Sequence, residues 1–168
     1  IGFIGLGLMG GNMVENLQHR GYRPIVMDLN QEAVATVVAR GGAEATSAAE
    51  LAAASDVVML CLTTSAVVES LVYGDVGILG GIKEGSVVID FGTSIPASTR
   101  KIGADLAKKG AAMIDGALGR TPAHARDGLL NIMAAGDPDT FEKMQPLLEE
   151  QGENVFYLGP LGAGHTTK

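Results

Sequence analysis

A doubly wound α/β fold, a mostly parallel sheet with helices on both faces, is what this sequence predicts, and three observations carry it. Strand-like and helix-like stretches alternate along the whole chain. Two apolar runs, DVVMLCL at 56–62 and SVVIDF at 86–91, lack the polar alternation of a half-exposed strand, as strands covered on both faces require. A glycine-rich turn follows the first apolar run directly.

In order, residues 1–5 (IGFIG) read as a buried strand ending in glycine. Residues 10–20 form a helix with Met13 and Leu17 on one face and Gly21 as its stop. Residues 24–28 (PIVMD) are a second strand. Asn30 then caps a helix through Val34, Val37 and Val38 to Gly41. A short strand at 43–45 precedes a helix at 48–54 capped by Ser47. Between the two central runs lie a helix at 65–73 and a glycine-rich loop. Pro96 starts the next helix, with Ile102 and Leu106 one turn apart and Lys108 and Lys109 before Gly110. Residues 112–115 and 129–135 read as later strands, and 155–158 as the last. Asp137 opens a helix that aligns Phe141, Met144 and Leu148, with a kink expected at Pro146.

No internal linker divides the chain, and 168 residues suit one domain with a substantial core. A net charge of −7 without a basic cluster argues against a nucleic-acid partner. The single cysteine, Cys61, cannot form an internal disulfide, which fits a reducing, cytoplasmic setting. No signal peptide or transmembrane run is evident, so no membrane role is expected. The chain opens without methionine inside an apolar strand, and both ends read as trimmed.

The first turn, Gly5-Leu6-Gly7-Leu8-Met9-Gly10, spells GxGxxG. Such spacings arise by chance in a glycine-rich chain, but this one follows a strand and opens a helix in a βαβ unit. Gly5 permits the tight turn, Gly7 admits a pyrophosphate, and Gly10 lets helix and strand pack closely. The N–H groups of Leu8 and Met9 then face the phosphates at the positive end of the helix. Asp28 ends the second strand 18 residues after Gly10. A carboxylate at about that spacing accepts hydrogen bonds from ribose hydroxyls and repels a 2′-phosphate. With no Arg or Lys in Leu29-Asn30-Gln31, the expected cofactor of this Rossmann-type domain is NAD rather than NADP.

These motifs carry a family resemblance. GFIGLGLMGGNMVENL resembles the opening GxIGLGxMGxxMAxNL of the β-hydroxyacid dehydrogenase family, the group around 3-hydroxyisobutyrate dehydrogenase. VVIDFGTSIP is similar to the family's VDxSTxxP, which sets Thr93 on the threonine beside the nicotinamide ribose and Gly92 in place of a serine. MLCLTTSAVVESLVYG resembles the segment with Leu-Pro at the cofactor, so Leu62 matches and Thr63 departs from the proline. The chain closes with GxGxxxK as Gly162, Gly164 and Lys168. The resemblance implies a dinucleotide-binding domain at 1–161, with 162–168 starting an interdomain helix into an all-helical domain that carries the homo-oligomer contacts. It also implies that Lys168 is the catalytic lysine. The residue type agrees, because aldehyde reduction needs hydride at carbon and a proton at oxygen, and an ammonium stabilises and protonates the alkoxide.

The substrate loop departs from the family's DAPVSGGxxGA. Here Gly119-Arg120-Thr121 stands where Ser-Gly-Gly is usual, a form that resembles a subgroup including sulfolactaldehyde reductase. The arginine fork suits a carboxylate, phosphate or sulfonate, and Thr121 adds a hydroxyl. The implied activity is NAD-linked interconversion of a small anionic hydroxyacid or hydroxysulfonate and its aldehyde, such as sulfolactaldehyde or a succinic, tartronate or methylmalonate semialdehyde. The alternative is a non-catalytic NAD-binding scaffold or sensor. His124 reads as a solvent-facing loop residue, His19 as a surface cation at a helix end, and Cys61 as a core residue. His165, three before Lys168, has room for a supporting role. No cluster has metal-ligand spacing, and no metal is expected.

Overall fold

A computed structural model describes residues 1–168 as one eight-stranded sheet with helices on both faces. The strands are β1 (Gly2–Ile4), β2 (Ile25–Met27), β3 (Ala43–Glu44), β4 (Val57–Leu60), β5 (Val87–Asp90), β6 (Ala112–Gly119), β7 (Leu130–Gly136) and β8 (Gly152–Tyr157). Their order across the sheet is β3-β2-β1-β4-β5-β6-β7-β8. All neighbours are parallel except β6 and β7, which run antiparallel. The chain returns to the middle of the sheet after β3, so β1 and β4 lie side by side with crossovers leaving in opposite directions. The carboxyl ends of these two strands therefore frame a crevice, the place where open α/β sheets bind ligands.

The helices are α1 (Leu8–His19), α2 (Gln31–Ala39), α3 (Ala48–Ala53), α4 (Ser65–Tyr73), α5 (Ile78–Gly81), α6 (Pro96–Ala107), α7 (Pro122–Arg126), α8 (Pro138–Gln151) and α9 (Ala163–Thr167). Two apolar layers follow from strand alternation. Phe3, Met59, Ile89 and Ile114 pack towards α1 and α8, while Ile4, Val58, Leu60 and Val88 pack towards α3, α4 and α6. The caps agree with the sequence. Asn30 accepts from the N–H groups of Glu32 and Ala33, Ser47 from Glu50, and Asp137 from Thr140. No helix is long and apolar enough to cross a membrane.

Four features differ from the sequence expectation. Strand β6 runs on to Gly119, because its antiparallel pairing with β7 supplies partners for the glycine-rich stretch after Asp115. The expected loop after α4 contains the short helix α5, whose Ile78 is buried. Residues 122–126 form α7, opened by Pro122, so His124 is helical rather than in a loop. Helix α8 runs through Pro146 as one element.

One very tight contact lies between α1 and the turn before it. A methyl group at Gly10 would run into the carbonyl oxygen of Gly5 and crowd Phe3, and both obstacles are fixed. Gly5 itself has φ +98°, with Cys61 carbonyl directly against its Cα. Gly10→Ala is therefore expected to cost at least the ~1–3 kcal/mol typical of overpacking. Urea unfolding without cofactor measures this, and a stability equal to wild type would contradict the contact.

Candidate functional site

Gly7 is the N-cap of α1 and is exposed; a Cβ built there meets nothing within 4 Å. The open side of the turn thus faces solvent at the start of the helix, where the N–H groups of Leu8 and Met9 have no intrahelical acceptor. Leu8 itself is exposed, so little protein covers these donors. Asp28 stands beside the turn and is already oriented. Its Oδ2 accepts the Leu6 N–H at 2.6 Å and its Oδ1 accepts the Asn30 N–H at 2.7 Å. Each carboxylate oxygen keeps a second lone pair for a ribose hydroxyl. These residues fit a dinucleotide: space at Gly7, free donors for phosphate, and a fixed acceptor one strand away.

Across the crevice, β4 ends at Leu60 and its continuation, Cys61-Leu62, packs on the turn and on the next strand. Gly92 sits so close to the Leu62 carbonyl and Asp90 Oδ1 that a side chain there would collide, which accounts for glycine in place of the family's serine. Asp90, fully buried, accepts the Gly92 N–H at 2.9 Å and the Ser94 hydroxyl at 2.7 Å. Ser65 at the start of α4 accepts the Ile95 N–H at 2.6 Å. These bonds shape the loop that leaves Thr93 exposed at the carboxyl end of β5. The Cys61 thiol is pushed up to about 11 by burial and by the negative charge of Asp90, against which the charge of Lys168 and the Gly10 N–H both work. Cys61 is therefore a protonated, half-buried residue packed against the core.

The closing GxGxxxK folds onto β6. Gly162, at φ +94°, is the N-cap of α9, and the carboxylate that satisfies this helix start comes from Asp115. Asp115 is fully buried; Oδ1 accepts the Gly162 N–H and Oδ2 the His165 N–H, both at 2.7 Å. Gly164 packs so tightly over Met133 carbonyl and Asp115 that no side chain fits. Lys168 follows as the exposed C-cap of α9. His165 is buried rather than merely alongside the lysine, with Nδ1 at 2.8 Å from Thr99 Oγ1.

The substrate-loop residues are arranged less simply. Gly119 ends β6, and Arg120 is the one non-glycine residue with positive φ, +79°. Its guanidinium donates to the Leu129 carbonyl at 2.8 Å and pairs with Glu153 on β8, so its charge is already met within the chain. The Thr121 hydroxyl lies 2.7 Å from His124 Nδ1. Sequence reasoning did not single out Asp90 or Asp115. The available signal was an acidic residue closing each of two apolar strands, VVID and AMID.

With this geometry in hand, the comparisons agree. A family described as the NAD binding domain of 6-phosphogluconate dehydrogenase matches residues 1–159. The chain belongs to that family and is an NAD-binding domain. It is 42% identical over 168 residues to the NAD-dependent L-serine dehydrogenase of Pseudomonas aeruginosa, covering all of this chain and 56% of that protein. It is 34% identical, with the same coverage, to the 3-sulfolactaldehyde reductase of Escherichia coli. It is also similar to the solved 3-hydroxyisobutyrate dehydrogenase of Mycobacterium tuberculosis with L-serine, at TM-score 0.91 and 30% identity over 99% of this chain and 56% of that one. The expected 3-hydroxyisobutyrate dehydrogenase-like membership and Rossmann-type fold are borne out. The chain spans about half the length of the curated relatives it matches.

Gly7→Ala separates the fold from the cradle. Because the added methyl meets open space, cofactor-free stability should stay within ~0.5 kcal/mol of wild type. NADH affinity, read by fluorescence titration, should fall at least about tenfold if phosphate approaches at Gly7. Unaltered affinity would contradict the cradle.

Proposed function

We propose that this domain belongs to an NAD(H)-dependent oxidoreductase that interconverts a small anionic hydroxyacid, or hydroxysulfonate, and its aldehyde, with Lys168 as general acid/base. One juxtaposition supports this reading most directly. The Thr93 loop and the helix carrying Lys168 hang from Asp90 and Asp115, which are register partners on neighbouring strands. A nicotinamide-side residue and a lysine are thereby held to the same edge of the sheet.

Gly5, Gly7, Leu8, Met9 and Gly10 would hold the pyrophosphate, Asp28 the adenosine ribose, and Leu62 and Thr93 the nicotinamide half. Asp28, followed by Leu29-Asn30-Gln31 with no Arg or Lys, favours NAD(H) over NADP(H). When bound, the cofactor supplies or accepts a hydride. Lys168 holds the proton for the alkoxide oxygen in reduction and takes it back in oxidation, and its charge stabilises that oxygen throughout.

Gly119, Arg120 and Thr121 would receive the substrate's anionic group. The pairing of Arg120 with Glu153 means that an anion takes the guanidinium only in competition with a carboxylate. Similarity to both a serine dehydrogenase and a sulfolactaldehyde reductase is compatible with either a carboxylate or a sulfonate. A cytoplasmic homo-oligomer, completed by a helical domain after Lys168, rounds out the proposal.

Lys168→Ala in the full-length enzyme is expected to lower kcat by about 10²–10⁴-fold while NADH affinity stays near wild type. Undiminished turnover would refute the acid/base role. For the substrate class, kcat/KM for sulfolactaldehyde and succinic semialdehyde should each exceed that for an uncharged aldehyde of similar size. Preference for the uncharged aldehyde would refute the anion pocket.

A further inference from the structure

Two fully buried carboxylates and one fully buried imidazole meet where the Thr93 loop and the Lys168 helix leave the sheet. Asp90 and Asp115 are in register on adjacent parallel strands, so their side chains share one face. His165 lies between them. Its Nδ1 is 3.8 Å from Asp115 Oδ2 and its Nε2 is 3.9 Å from Asp90 Oδ2, with all three side chains at or below 1% exposure. The Thr99 hydroxyl, from α6, fixes the ring through Nδ1 at 2.8 Å. Nε2 has no hydrogen-bond partner, although it is fully enclosed.

Each carboxylate spends its near bonds on one half of the site. Asp90 shapes the Thr93 loop through Gly92 and Ser94, and Asp115 shapes the start of α9 through Gly162 and His165. Two acids buried in register on neighbouring strands are tolerated only where the groups packed around them meet their polar oxygens. The enclosed ring turns one nitrogen towards each carboxylate and touches both halves of the site.

We propose that His165 is a positioning residue: packed between Asp90 and Asp115, it couples the placement of the nicotinamide-side loop to the placement of Lys168. The consequence for turnover rests on the proposed acid/base role of Lys168; the coupling itself does not.

The test uses His165→Gln in the full-length enzyme, read by steady-state kinetics, NADH titration and backbone amide resonances. Expected is a fall in kcat of about 10–100-fold, as for a small misplacement of reacting groups, with NADH affinity within about threefold. The amide resonances of Thr93 and Thr167 should shift together. A wild-type kcat would overturn the proposal, as would affinity lost in step with kcat or shifts confined to residues 162–168. Should the variant not fold, Thr99→Val removes only the hydroxyl that fixes the ring. It should lower kcat about threefold or more and move the same two resonances, and no change in either overturns the proposal. Full turnover in Lys168→Ala would remove the acid/base reading alone, leaving the paired resonance shifts to decide the coupling.

Discussion

Asp90, at the end of β5, and Asp115, inside β6, stand side by side with no water-facing surface, and the site depends on how that arrangement is made tolerable. Each carboxylate accepts two hydrogen bonds from groups of the chain that follow it. Bonds to a charged group contribute about 1.5–3 kcal/mol each, and leaving one unmade in the interior costs the desolvation besides. The loop beyond β5 and the start of α9 are therefore fixed by the need to satisfy acids the sheet has buried. Stability and site geometry come from the same bonds.

The cofactor side is built on another principle. There the chain contributes backbone and absence of side chains: Gly5 and Gly10 bring α1 against β1 and β4, and Gly7 leaves its outer side open. Only Asp28 acts through a side chain, and the Leu6 and Asn30 N–H groups orient it beforehand. A surface laid out in this way before ligand arrives gives up little ordering entropy on binding. The Gly119–Thr121 loop contrasts with it. Arg120 is paired with Glu153 and set on a left-handed backbone, a higher-energy conformation for a residue with a side chain.

Much of this was legible in the residues. Apolar runs at 56–62 and 86–91 marked the central strands, and Asn30, Ser47 and Asp137 marked helix starts by cap chemistry that acts within four residues. The glycine turn and Asp28 at the end of the next strand lie together as their spacing suggests, since both parts belong to one local βαβ unit. What escaped was set by contacts distant in sequence. The extension of β6 to Gly119 depends on β7 as an antiparallel partner. The pairing of Arg120 with Glu153 spans 33 residues, and the burial of His165 comes from strands 50 and 75 residues upstream. Asp90 and Asp115 looked like ordinary strand ends because no local pattern reveals that two acids will become register partners.

The central claim is that the buried pair organises the chemistry rather than cofactor capture. Single-turnover hydride transfer in full-length Asp115→Asn tests it most directly, because the substitution keeps the shape of the group and replaces one acceptor oxygen by a donor. The account predicts NADH binding near the wild-type affinity and hydride transfer slowed by about tenfold or more. Transfer at the wild-type rate in a variant that binds NADH normally would contradict it.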